Sequence, residues 1–197
     1  MLLTCIFSIF ITFIVLFFFG FAIGFKGSSF IARIVFLFSF LYIISLVFSS
    51  FYSLNSIEYI QLFSFFDFFD LKVEWGFEIT EFSIMMSFVV ITIGTAVCFF
   101  SDDYMKEDPK FSKFIAYVSL FIFFMEFVVL SSNYILFFIG WEGVGVCSML
   151  LINFWNTRSE AVKSSIKAFF INRIGDYGLF LCWLLMFVFF GHHYIVI

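Results

Sequence analysis

Residues 134–153 read YILFFIGWEGVGVCSMLLIN, a run of twenty in which Glu142 is the single charge. That length and character suit a helix crossing about 30 Å of hydrocarbon. A carboxyl near its middle costs at least about 2.5–3.5 kcal/mol unless it is paired or hydrated, which makes it a functional candidate with a partner to be found. Gly140, Gly143 and Gly145 strip side chains from around it. They weaken the helix but let backbone or water approach closely. A carboxylic acid removed from bulk water can hold and release a proton near neutral pH. A plainer role stays open, in which Glu142 hydrogen-bonds to a neighbouring helix and the glycines serve packing.

The whole chain has the same character. Its 197 residues are 64% hydrophobic, 26% aromatic and 12% charged, with mean hydropathy +1.16 and 39 phenylalanines. Soluble domains run about 45–50% apolar and about 25% charged. Disorder, nucleic-acid binding and a disulfide-stapled secreted module are therefore excluded, leaving an integral membrane protein. Cys5, Cys98, Cys147 and Cys182 stand singly in apolar runs. Iron–sulfur and zinc sites need clustered thiolates, so all four read as small buried hydrophobes. With no Gly-rich phosphate loop either, any associated redox chemistry is expected on another subunit, and this chain is expected to hold no cofactor or metal.

Working outward gives an all-α membrane fold of about six transmembrane helices, a single membrane domain over 1–197. The spans are about 2–24, 30–51, 82–100, 114–132, 134–153 and 161–190. Between the second and third lies a polar interval, 52–81, with six acids and one base. Within it KVEWGFEIT (72–80) alternates around Gly76 and reads as a short extramembrane hairpin. Arg33 is close enough to the end of its span to snorkel.

The charges set a topology. Lys26, Arg33, Lys106, Lys110, Lys113, Arg158, Lys163 and Lys167 fall near the odd loops, and Lys72 alone on the other side. By the positive-inside rule the odd loops face the cytoplasm or its organelle equivalent, and the N-terminus faces out.

Three further ionisable residues lie at membrane depth. Arg173 and Asp176, in NRIGD, are three apart on one face of the sixth helix and can pair. Such a pair is either a switch that a proton opens or a static bridge. Asn172, Lys163 and Lys167 precede it on a polar face, the lysines near the membrane edge. Glu126 and Glu142 lie roughly 10 and 13 Å below the same surface at about 1.5 Å per residue from the turn at Asn133. Glu126 either faces Glu142, as a pair sharing one proton, or looks into another subunit. His192 and His193 follow Gly191 at the exit of the sixth helix, an interfacial placement.

The run SSNYILFFIGWEGVGVCSMLLINFW, followed by AFFINRIGDYGLF, resembles the N-terminal third of the chain 5 family of proton-pumping NADH:ubiquinone oxidoreductase, complex I. SDDYMKEDPKFSKFIAYVSLF looks like the same family's loop and fourth helix. GWEGVG with NRIGD about thirty residues on is shared in looser form by Mrp-type cation/proton antiporter subunits. The resemblance covers about residues 70–190. It implies that Glu142 belongs to a half-channel and pairs with a lysine on a seventh helix. It also implies that Asp176 takes part in proton transfer, with Arg173 beside it. The family's N-terminus and hairpin face the intermembrane space, in agreement with the charge count. Family members place an apolar residue around position 126, so Glu126 inherits no role. The family's central lysines follow its sixth helix, beyond Ile197. Either the subunit is split, with a second polypeptide supplying the remaining helices, or the sequence is a truncated product; the split subunit is the leading expectation.

The leading expectation is an antiporter-like, proton-pumping membrane-arm subunit of mitochondrial complex I, in the inner membrane. Its implied partners are other membrane-arm subunits and lipids, with flavin and iron–sulfur clusters on other chains. The Phe-rich composition agrees with an AT-rich organelle genome. The alternative is an Mrp-type antiporter subunit. A third reading is an architectural chain that has lost transport.

Overall fold

A computed structural model of the chain describes residues 2–52, 58–68 and 71–190. It contains five helices and one β-hairpin: α1 (Leu2–Tyr52), β1 (Glu58–Phe68), β2 (Leu71–Ile79), α2 (Glu81–Tyr104), α3 (Phe111–Leu130), α4 (Tyr134–Ile152) and α5 (Ser159–Phe190). All five helices are long and apolar enough to cross a membrane, and the chain is a multi-pass membrane protein. The first apolar stretch, Leu3–Ser50, has 48 residues, more than twice the roughly 20 that one crossing needs. It is broken at Gly24, whose φ of 72° and ψ of 179° belong to no helix. Only glycine adopts such a backbone at low cost. Two arms of spanning length result, 2–23 and 25–52.

The described residues form two compact units. One holds 2–52 and 80–126; the other holds 58–68, 71–79 and 127–190. In the first, the two arms of α1 run antiparallel to each other, as their contacts require. The first arm packs along α3, with Phe10 stacked on Phe123 at 4.6 Å and the Ser112 hydroxyl donating to the Gly20 carbonyl at 3.2 Å. The second arm packs along α2, with Phe40 against Phe88. There Arg33 Nε lies 3.0 Å from Asp102 Oδ2. Arg33 therefore has a carboxylate partner instead of simply snorkelling. The Phe25–Phe111 contact at 4.4 Å sets the reversal at Gly24 beside the α2–α3 loop, so Lys26 and Lys110 share one end of this unit.

Small residues let these helices approach. The buried face of α2 carries Ser83, Ser87, Gly94, Thr95, Cys98 and Ser101. Thr95 and Ser101 donate their hydroxyls back to Ile91 and Cys98 carbonyls at 2.7 and 2.8 Å, which satisfies polar atoms without water. Thr80 caps α2, accepting from the Ser83 backbone N–H while the Ser83 hydroxyl accepts from the Thr80 N–H. This is the reciprocal cap that Thr-x-x-Ser sets up just before an apolar run.

In the second unit β1 and β2 pair antiparallel from Glu58↔Ile79 to Phe68↔Leu71, with irregularities between Gln61 and Phe63 and between Ser64 and Phe66. KVEWGFEIT is therefore not a hairpin by itself: its residues 72–79 belong to the second strand, whose partner is Glu58–Phe68. Gly76 marks a close approach instead of a turn. A Cβ there would come within 2.6 Å of the Tyr59 hydroxyl, and the Gly76 carbonyl accepts from the Ser132 hydroxyl at 2.7 Å. Phe77 is buried edge-on against Phe127.

Substituting Gly24 with Val should destabilise the α1 hairpin by about 1–3 kcal/mol through backbone strain. No atom lies within 4 Å of the Cβ position, so a clash is not the cause. A lowered thermal midpoint of the purified assembly containing the chain would show it.

Candidate functional site

The second unit brings three of the membrane-depth charges together. α4 and α5 are antiparallel, locked near one end by Trp183 against Tyr134 and Phe138. Farther along, Glu142 on α4 and Arg173 on α5 form an ion pair through Oε1 and Nη1. Arg173 Nη1 also lies 3.8 Å from Asp176 Oδ2 on its own helix. The guanidinium thus sits between two carboxylates and engages Glu142 more closely. The three-residue spacing of Arg173 and Asp176 does place them on one face, but the tighter partner comes from the neighbouring helix. No local pattern on α5 points to it.

A fourth residue completes the group, and sequence reasoning passed over it. The Trp141 indole N–H donates to Asp176 Oδ1 at 2.9 Å. The signal was present: an indole N–H at membrane depth seeks an acceptor, and Trp141 directly precedes Glu142. The pairing is therefore crossed, with successive residues of α4 reaching two points on α5. Beside it is a pocket of about 370 Å³ lined by Trp141, Gly145, Ser148, Asn172, Gly175 and Asp176, among others. Asp176 is 7% exposed, whereas the Arg173 and Glu142 side chains are 27% and 31% exposed. The Arg173 guanidinium also lies over the Phe169 ring at 4.8 Å.

The remaining candidates fall elsewhere. Glu126 is fully buried within this chain, so it does not look outward into another subunit. It falls in the first unit and Glu142 in the second. Its polar neighbour is Ser87 on α2, and neither side chain closes a hydrogen bond among the described residues. Lys163 pairs with Glu160 at 3.1 Å on an exposed surface, a contact worth little. Cys5, Cys98 and Cys147 are buried, but Cys182 is exposed on α5, which corrects its reading as a buried hydrophobe. Its turn of the helix faces outward. No group of three or more His, Cys, Asp or Glu with metal-binding geometry occurs among the described residues. His192 and His193 lie outside them.

Two predictions follow from these placements. Arg173→Gln leaves two carboxylates without their cation, each costing about 2.5–3.5 kcal/mol at membrane depth. The thermal midpoint of the assembly should fall, and adding Glu142→Gln should recover part of the loss, as expected of partners in one network. Glu126→Leu removes a buried carboxyl that has no hydrogen bond among the described residues. It should leave the midpoint unchanged or raise it.

Residues 65–115 match the family described as the N-terminus of NADH-ubiquinone oxidoreductase (complex I) chain 5. Residues 131–197, which include α4 and α5, match the transmembrane family of NADH:quinone oxidoreductase and Mrp antiporters. NADH-ubiquinone oxidoreductase chain 5 of Phytophthora infestans is 42% identical over 182 residues, covering 92% of this chain and 27% of the relative. Its counterpart in Dictyostelium discoideum is 48% identical over 120 residues, covering 61% of this chain and 18% of the relative. The aligned region thus spans about a quarter or less of these relatives. Both families are matched in order along the sequence and one alignment runs across nearly all of it, so the chain is similar to the N-terminal region of the complex I chain 5, antiporter-like membrane subunits.

Proposed function

We propose that the chain acts as the N-terminal part of a proton-translocating membrane-arm subunit of respiratory complex I. The observation that carries this reading is the Glu142–Arg173–Asp176 group at membrane depth, held between two antiparallel helices, with a mostly apolar pocket alongside that Ser148, Asn172 and Asp176 also line. Ionisable residues are retained in such positions chiefly along ion and proton pathways.

Glu142 and Asp176 are the groups that exchange protons, and Arg173 is the cation whose attraction each competes for. A proton arriving on Glu142 weakens its hold on Arg173, and the guanidinium is then drawn toward Asp176, 3.8 Å away. Reversal restores the first pairing and releases the proton. The displacement is short, and the proton on Glu142 takes the group from a net charge of −1 to neutral.

The redox steps that drive this motion, with their flavin and iron–sulfur chemistry, belong to other subunits. The chain's partners are other membrane-arm subunits, and a second polypeptide carrying further antiporter-like helices is proposed among them. The setting is the mitochondrial inner membrane, with the N-terminus toward the intermembrane space. Lys26 and Lys110 at one end of the first unit agree with that orientation.

An Mrp-type antiporter subunit is the second reading, favoured by the shared match over residues 131–197. Copurifying flavin and iron–sulfur absorption separates the two. In the assembled complex, Glu142→Gln should lower proton pumping per electron severalfold while the assembly persists. Unchanged stoichiometry, measured in sealed vesicles, removes Glu142 from the mechanism.

A further inference from the structure

The crossed pairing assigns a task to a residue outside the charge group. Asp176 has two oxygens with different surroundings. Oδ1 accepts the Trp141 indole N–H at 2.9 Å, whereas Oδ2 stands 3.8 Å from Arg173 Nη1. The first is a well-formed hydrogen bond and the second lies beyond hydrogen-bond reach. Arg173 is on the same helix, three residues earlier, and its guanidinium carries five donors. One side-chain rotation would bring it onto Asp176. An indole N–H is a donor only, so the hydrogen bond it makes here goes to the carboxylate and not to Arg173. The indole is also stiff: the ring is stacked on Phe137, 15° from parallel.

We propose that Trp141 is a positioning residue that holds Asp176 back from Arg173, keeping Arg173 committed to Glu142 and Asp176 turned to the pocket. The inference rests on the proton-pumping reading above and names the group that sets the resting state of its switch. Without the indole N–H, Asp176 closes on Arg173, and Glu142 loses its cation whether or not it has bound a proton. The two arrangements that pumping alternates between then collapse into one.

Trp141 is 45% exposed in this chain, so trimming its ring leaves no fully buried cavity. The test uses the assembled complex with Trp141→Phe and Trp141→His, reading proton pumping per electron in sealed vesicles beside the electron-transfer rate. His places an N–H at the equivalent ring position; Phe has none. The expected result is a severalfold loss of pumping per electron in Trp141→Phe with electron transfer retained, and recovery toward the native ratio in Trp141→His. Assembly and pumping by the His variant, with the Phe variant failing to assemble, also supports the donor role. Native pumping in Trp141→Phe overturns the proposal. So does equal impairment of the two variants, or failure of both to assemble, since either assigns Trp141 to packing. Glu142→Gln run alongside separates the layers: if it is impaired and the Trp141 variants match each other, only the positioning role falls. If Glu142→Gln pumps normally, the pumping assignment itself falls.

Discussion

Taking a carboxylate out of water costs more than any single packing contact in this chain returns, and the arrangement of α4 and α5 answers to that cost. Glu142 and Asp176 lie on different helices, and each needs a donor. Arg173 supplies one and Trp141 the other, both by reaching across the helix–helix contact. The local constraint thereby fixes the register of two helices, because a slip of one residue would point Trp141 and Glu142 away from their partners.

The same absence of water shapes the first unit by other means. Its hydroxyls turn back onto carbonyls three or four residues earlier, and its small residues let α1, α2 and α3 approach closely. Arg33 and Asp102 form an ion pair between the second arm of α1 and α2. Glu126 departs from this economy. It is buried beside Ser87 with no hydrogen bond closed among the described residues, and it has no part in the charge group of the second unit. The outward surface is the complement: Phe21, Ile174, Phe189 and many other large apolar side chains stand exposed, as a surface against lipid requires.

Much of this was legible in the sequence. Length and hydropathy located the membrane-length helices, and the acids and Gly76 placed an extended segment between them. The reversal at Gly24 was legible as an interruption but not as a geometry. The hairpin was misread at Gly76, where a glycine gives way to Tyr59 and Ser132 instead of turning the chain. Glu142, Arg173 and Asp176 stood out because charge is expensive in hydrocarbon, a property of each residue by itself.

Single-chain periodicity determines which residues share a face of one helix, and so it yielded the Arg173–Asp176 spacing. It carries no information about the rotation of α5 against α4. Only the packed helices decided that Arg173 turns to Glu142 and that Trp141 holds Asp176, because a pairing across two helices depends on their mutual rotation and register, which side chains from both sequences settle together.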